Sequence, residues 1–284
     1  MTMDASSVFG DGAYVGSPRT FVAPGKLVLL GEYAVLDGGG AIVAAVDRGV
    51  VCVVSTGAGI ETPGDDRFVR AALTGAPRGL YRFRDQYPLD LPGKAGFGGS
   101  AAATVAAIRA AGRPDADAFT VHASVQGGGS GVDVFASVNG GVRAYPSGRS
   151  VACPPFLVVW SGQSAATGPR IQQYLAWADR VDFVVRSREL VDAFEDDPLG
   201  VTGAAYALLQ EMSHRAGIDY DLPAFQRIAS LTQAVGGAAK PSGAGGGDIA
   251  VAIVPDVEKR ETLRRLVAEE GFFVIDVGIS PKQR

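Results

Sequence analysis

The chain is constrained most by three segments that lie far apart in sequence yet are chemically alike. Ala23 to Asp37 reads APGKLVLLGEYAVLD, Lys94 to Ala102 reads KAGFGGSAA, and Lys240 to Asp248 reads KPSGAGGGD. Loops of glycine and small residues let backbone N–H groups approach an anion closely, and a loop that opens into a helix adds the positive end of that helix. Phosphate is the ligand such loops suit. Any one run could be a tight turn without a ligand, because a chain with 39 glycines matches short motifs by chance. Two runs that open with Lys and a third that contains one favour a single shared site.

Two familiar nucleotide patterns do not apply. Gly96 to Ala101 spells G-x-G-x-x-A with Asp115 and Asp117 downstream, but a dinucleotide fingerprint needs an apolar strand directly before it and an acidic residue closing the next strand. Here Asp90-Leu91-Pro92-Gly93-Lys94 precedes the run and a Pro-Asp-Ala-Asp turn follows it. The pattern G-x-x-x-x-G-K-[ST] is absent.

Composition narrows the partners. A net charge of −4 over 284 residues, with no long basic run, argues against nucleic acid as the main partner, since backbone binding needs clustered Lys and Arg. No apolar stretch approaches the roughly 20 residues of a membrane span, and the first residues lack a charged start followed by an apolar run. A cytoplasmic protein without membrane association is expected. Cys52 lies in an apolar run and Cys153 precedes two prolines, so neither shows metal-ligand or disulfide spacing.

Along the chain, residues 1–18 are Gly/Ser-rich and aperiodic and read as a flexible arm. Phe21–Val22, Leu27–Leu30, Ala41–Val46 and Val50–Ser55 read as four strands, and Leu80–Phe83 as a short fifth. The stretch from Gly57 to Pro92 is otherwise thin in pattern. Ser100–Ala111, Phe119–Gln126 and Val132–Val138 read as helices, the first opening at the second glycine run. The prolines at 154 and 155 mark a boundary between an N-terminal domain over 19–154 and a C-terminal domain over 155–284. In the latter, Phe156–Trp160, Ile249–Val254 and Phe272–Val277 read as strands. Ile171–Ala178, Arg186–Asp196, Val201–Ala216, Pro223–Ala234 and Glu258–Glu270 read as helices, giving an α+β chain without internal repeats.

On these residues the chain resembles the GHMP small-molecule kinases. APGKLVLLGEYAVLDGGGAIVAAVD is similar to their first motif, GFGGSAA to their phosphate loop P-G-L-G-S-S-A, and KPSGAGGGD to their third motif, in the same order over nearly the whole chain. GEYAVLDG, Lys94 ahead of the loop, QGGGSGVDVFASVNGG, WSGQSAAT and the Asp248 ending resemble the phosphomevalonate kinase branch in particular. The resemblance implies a two-domain GHMP kinase fold. Its N-terminal half would be like ribosomal protein S5 domain 2 and its C-terminal half ferredoxin-like, with ATP and acceptor in the cleft between them. It implies ATP-dependent phosphorylation of mevalonate 5-phosphate, with Mg²⁺, by a monomer or homodimer. Mevalonate kinase, another GHMP kinase with a different small acceptor, and a degenerate member that only binds a phosphorylated metabolite remain the alternatives.

The same resemblance assigns roles. Lys26 and Asp133 would face the transferring group, Lys26 as electrostatic stabiliser and Asp133 as orienter more than base, because a phosphate acceptor needs little deprotonation. An Asp just after Ser130-Gly131 could equally cap a helix. Lys94, Gly96, Gly98, Gly99, Ser100 and Ala101 would hold ATP, with the Ser100 hydroxyl offered to Mg²⁺. Glu32, Tyr33, Lys240, Ser242, Gly243, Ala244 and Gly245 would line the acceptor pocket, the last four through backbone N–H groups. Arg48 and Arg143 are further cations that could instead be surface charges. His122 stands where mevalonate kinases carry a metal-binding Glu and where the phosphomevalonate kinase branch also has His; a partly buried helix histidine is the equal alternative. Two departures stand out: Gly99 replaces the first serine of the family's G-S-S, and residues 57–92, where members build the adenine-side wall, are short of pattern.

Overall fold

The computed structural model describes residues 8–87, 90–91, 93–165 and 167–283. Strands β1 (Arg19–Leu30) and β2 (Ala41–Ser55) are each one long antiparallel strand where the sequence suggested two. Pro24 does not end β1, because the register slips between Ala23 and Gly25 and that bulge absorbs a residue unable to donate to the ladder. Gly25 permits the close crossing there: a Cβ on it would collide with the Arg48 carbonyl and stand 2.9 Å from the Phe97 oxygen.

β2 also pairs with β4 (Leu80–Asp85) through its second half and with β5 (Val142–Tyr145) through its first residues, while β3 (Gly59–Glu61) runs parallel to β4. β3, β5 and the short helix α1 (Arg67–Ala72) fall where the sequence showed no clear pattern. Helices α2 (Gly99–Ala110), α3 (Asp117–Gln126) and α4 (Val132–Asn139) match their expected positions within two residues. α2 and α4 pack on β1 and β2, and α3 packs on α2.

The central strands are buried on both faces, with the period of two that a strand imposes. Val28, Ala41 and Val43 face α4, whereas Leu27, Leu29, Ile42 and Ala44 face the second sheet. That second sheet has the order β7 (Ala238–Pro241), β8 (Ile249–Ile253), β6 (Phe156–Trp160), β9 (Phe273–Ile275), antiparallel throughout. Val158 and Trp160 of β6 join Val251 and Ile253 against the first sheet, while Leu157 and Val159 turn to the opposite core.

Between β6 and β7 run α5 (Thr167–Ala176), α6 (Val181–Ala193), α7 (Pro198–Ala216) and α8 (Pro223–Ala234), and between β8 and β9 runs α9 (Val257–Glu269). In order of appearance the strands lie 2-3-1-4 with helices after the first and third, which is the ferredoxin-like arrangement. α7 is bounded as its sequence dictates: Asp197 accepts from the Gly200 N–H, Pro198 occupies the first turn and left-handed Gly217 ends it. α6 starts five residues earlier than its pattern suggested, and β7 was not foreseen, since AAKP lacks β-branched residues.

The described segments nearest the two ends are tied to the N-terminal half. Residues 1–7 lie outside the described residues, but Val8, Phe9 and Tyr14 pack on the core around Tyr81, and the N–H groups of Gly10 and Tyr14 donate to Ala76 and Arg78. The segment from 8 to 14 is therefore anchored and not a loose arm. At the other end, Ser280 donates to the Ala45 carbonyl and accepts from the Gly141 N–H. No helix among the described residues is long and apolar enough to cross a membrane.

Candidate active site

The three glycine-containing segments meet. The Lys26 N–H on β1 donates to the Phe97 carbonyl at 2.9 Å, which fastens the second run alongside the first. The Lys26 side chain then passes under Gly98 to place Nζ 3.6 Å from Asp133 Oδ1. Gly98 has φ +71°, and a Cβ on it would lie 2.9 Å from Lys26 Cγ and 3.5 Å from Asp133 Oδ2. Only glycine both adopts that backbone readily and leaves room for the lysine. Asp133 sits in the first turn of α4 without capping it, because Gly131 is the cap residue and no side chain caps the helix.

At the start of α2 the first intrahelical bond runs from Ala102 N–H to the Gly98 carbonyl. Among the described residues nothing accepts from the N–H groups of Gly96 through Ala101. Donors without acceptors at and just before the positive end of a helix are suited to hold an anion. Ser100 Oγ stands there, 3.2 Å from Nε2 of His122, whose ring is buried on α3 and stacked on Phe68 of α1 at 5.0 Å. Burial depresses the His122 pKa, with Asp133 opposing, so the imidazole is neutral near pH 7. Lys94 is exposed at the edge of the same loop, its carbonyl accepting from Ser164 Oγ at 2.9 Å.

The third segment closes the site from the second sheet. A Cβ on Gly243 would lie 3.7 Å from Lys26 Nζ, and a Cβ on Gly96 would lie 2.6 Å from Asp248 Oδ2. Asp248 Oδ1 accepts from the Ala165 N–H at 3.0 Å. Burial raises the Asp248 pKa, opposed by that hydrogen bond and then by the charges of Lys26, Arg170 and Lys94. Among the described residues the N–H groups of Ala244, Gly245 and Gly247 are without acceptors, whereas that of Gly246 donates to the Tyr220 carbonyl at 2.7 Å. The two non-glycine residues with positive φ among those described, Tyr33 at 62° and Asp248 at 63°, both flank this loop. Such strain persists only where surrounding structure enforces it.

Several expected ligand residues are braces instead. Ser242 donates its N–H to the Ile249 carbonyl, and its hydroxyl accepts from the Val28 N–H at 3.0 Å, so it ties the loop to β1. Lys240 is 1% exposed and its ammonium pairs with Glu32, also buried, and with the Pro241 carbonyl. Its charge is neutralised within the protein. Burial lowers the Lys240 pKa and Glu32 opposes the shift. Tyr33 donates to the Ala244 carbonyl at 2.6 Å and packs its ring on Tyr174 and Tyr220. Glu32, which accepts from the Gly243 N–H, and Tyr33 thus hold the Gly243–Ala244 backbone in place.

Arg48 and Arg143 lie outside the site. Arg48 donates to the Asp276 carbonyl and covers the Tyr87 ring, and Arg143 donates to the carbonyls of Gly140 and Gly148. The cation that sequence reasoning missed is Arg170, in the first turn of α5, whose guanidinium lies against Gly246. Its sequence signal was the WSGQSAAT run just before it, but a lone Arg gives no sign of which way it points.

Among the described residues no group of three or more His, Cys, Asp or Glu side chains could hold a metal by itself. The donors present are the Ser100 hydroxyl and the part-exposed Asp133 carboxylate beside the six free N–H groups. That set fits Mg²⁺ arriving on a nucleotide, since Mg²⁺ keeps waters and phosphate oxygens and takes only one or two protein ligands. The arrangement suits transfer between two anions: the buried Lys26, the half-buried Arg170 and the exposed Lys94 accompany the N–H groups of the two glycine loops.

No family model matches the chain. A mevalonate kinase of Archaeoglobus fulgidus is 28% identical over 253 residues, spanning 79% of this chain and 88% of that protein. A phosphomevalonate kinase of Streptomyces sp. (strain CL190) is 28% identical over 344 aligned positions, spanning 86% and 92%. Among solved structures, a Lin0012 protein from Listeria innocua superposes with a TM-score of 0.82 at 22% identity, covering 92% of this chain and 98% of that one. The Streptococcus pneumoniae phosphomevalonate kinase, in complex with phosphomevalonate and AMPPNP, gives 0.75 at 17% identity, covering 93% and 100%.

Proposed function

We propose that this chain, a GHMP kinase by fold and by sequence kinship, transfers the γ-phosphoryl group of ATP to the phosphate of mevalonate 5-phosphate. The observation that carries the choice of acceptor is the set of three cations near the third segment and the start of α2: Lys26 Nζ beside Gly243, the Arg170 guanidinium against Gly246, and Lys94 at the opening of the second glycine run. One lysine and a helix terminus suffice to hold a nucleotide triphosphate. Bringing a second phosphate up to it demands further positive charge, because like-charged groups a few ångströms apart repel strongly in a partly buried site.

In this reading the Gly96–Ala101 N–H groups hold the ATP phosphates, and Ser100 with Asp133 holds Mg²⁺, which when bound would neutralise the polyphosphate. Lys26, fixed between Gly98 and Asp133, stabilises the charge that spreads over the transferring group. Asp133 holds Lys26 and the acceptor in line. The Ala244, Gly245 and Gly247 N–H groups take the acceptor's oxygens.

A mevalonate kinase is the second reading, favoured by an equal 28% identity to the Archaeoglobus fulgidus enzyme. The test is ADP release by the purified protein with Mg-ATP and, in parallel, mevalonate, mevalonate 5-phosphate, mevalonate 5-diphosphate, homoserine and galactose. Turnover confined to mevalonate 5-phosphate is expected. Turnover on mevalonate alone would move the chain to the second reading, and ATP binding without turnover on any acceptor would make it a binding protein.

A further inference from the structure

Arg170 has a position that neither the motifs nor the resemblance assigns. It leaves the first turn of α5, and its Nε donates to the Asp219 carbonyl at 3.0 Å, which sets the guanidinium plane. The Nη2, Cζ and Nε atoms are the three nearest neighbours that a Cβ on Gly246 would meet, and all would collide with it. Gly246 has φ +66° and gives its N–H to Tyr220, so the loop is pinned and the guanidinium closes directly over its backbone. Glycine at 246 is what allows that contact.

The placement separates Arg170 from the other two cations. Lys26 is engaged with Asp133, and Lys94 stands on the edge of the nucleotide loop. Arg170 comes from the opposite side, from the helix that follows β6, and its charge acts on Tyr33 as well as on Asp248. Tyr33 supports Ala244 and Asp248 abuts Gly96, so Arg170, against Gly246, stands on the loop between these two supports. A guanidinium is a planar fork of N–H donors whose geometry matches an oxyanion, which a lysine ammonium cannot reproduce.

Resting on the acceptor reading above, we infer that Arg170 and the N–H groups of Ala244, Gly245 and Gly247 form the acceptor's oxyanion subsite, so that Arg170 determines which small anions the enzyme accepts. The shared chemistry is that of a carboxylate or a phosphate, and mevalonate 5-phosphate carries both. Arg170→Gln removes the charge and keeps a planar polar end, while Arg170→Lys keeps the charge and loses the fork.

The experiment measures KM and kcat for acceptor and for ATP, together with binding of three probes by calorimetry: mevalonate 5-phosphate, mevalonate, and isopentenyl phosphate, which has no carboxylate. Arg170→Gln should raise the acceptor KM on the order of 10–100-fold with the ATP KM within about twofold, and Arg170→Lys should recover part of the loss. Weaker binding of mevalonate as well as of mevalonate 5-phosphate identifies the carboxylate as the partner. Weakening limited to mevalonate 5-phosphate and isopentenyl phosphate identifies the phosphate. An unchanged acceptor KM in a folded Arg170→Gln protein, or a rise in the ATP KM alone, would overturn the inference and leave Arg170 as a fastener of α5 to Asp219. If the wild type turns over a different acceptor, the proposed acceptor fails while Arg170 is still judged by the KM for that one. A wild type that binds no acceptor overturns both.

Discussion

Lys26 Nζ lies 3.6 Å from Asp133 Oδ1, the lysine side chain 10% exposed and the aspartate 35% exposed. The lysine is therefore held and desolvated, whereas the carboxylate remains open to solvent. Lys26→Ala should lower kcat by about 10³-fold or more with little change in ATP affinity, because its charge matters most as the phosphoryl group moves. Asp133→Asn, which keeps the shape, should cost only about 10–100-fold and leave the pH dependence of kcat in place, as expected of an orienting group. Steady-state kinetics of both variants checks this. Wild-type kcat in Lys26→Ala, or loss of a titrating limb in Asp133→Asn, would exchange or remove these roles.

The Glu32–Lys240 pair separates a brace from a ligand. Both side chains are buried and paired, and Glu32 Oε2 has no partner among the described residues. Removing one charge strands the other, so Glu32→Gln and Lys240→Met should each destabilise the fold by about 3–5 kcal/mol, and the Glu32→Leu/Lys240→Met double variant should be closer to wild type than either. Urea denaturation measures all of them. A Lys240→Met protein of unchanged stability but with a raised acceptor KM would return Lys240 to the substrate.

How far the sequence could be read follows from what each element depends on. The meeting of Lys26, Gly98 and Asp133 was legible because glycine runs and helix starts are local signals, and the family resemblance supplied their common location. The length of β1 and β2 was not, because Pro24-Gly25 and Arg48-Gly49 are breakers in isolation, and only the facing bulge and the close crossing at Gly25 let both strands continue. Lys240 and Ser242 looked like ligands because motif position says nothing about which way a side chain turns; burial and pairing with Glu32 and Val28 decide it. Arg170 was invisible for the converse reason. Its neighbours Gly246 and Asp219 are brought to it by the second sheet and its covering helices, far from it in sequence.

Gly99 was the departure from the family's loop, and the structure gives it a benign setting. A Cβ there meets nothing within 4 Å, and the residue lies in the first turn of α2 rather than in a left-handed conformation. Gly99→Ser should fold as well as wild type, with stability raised by up to about 1 kcal/mol through the smaller unfolded-state entropy. The added hydroxyl restores a polar group in the first turn of α2, beside the N–H groups without acceptors, so the ATP KM should fall a few-fold. An unchanged KM with raised stability would show that the backbone donors alone hold the phosphates.

His122 links the site to pH. Its ring is 5% exposed, touches Ser100 and stacks on Phe68, and burial holds its pKa below the ordinary value of 6.5, with the Asp133 charge opposing. The unfolded chain protonates first as the pH falls, so between 6.5 and the lower folded value the unfolded state binds more protons and stability falls with falling pH. Above 6.5 both states are neutral and the effect vanishes. His122→Phe keeps an aromatic ring against Phe68 and has no such proton to take up. The stability difference between wild type and His122→Phe, measured by urea denaturation from pH 7.5 to 5, should therefore be constant at the upper end and move in favour of the variant below about pH 6.5. Curves that stay parallel over the whole range would show that His122 titrates alike in both states and is not held neutral by its setting.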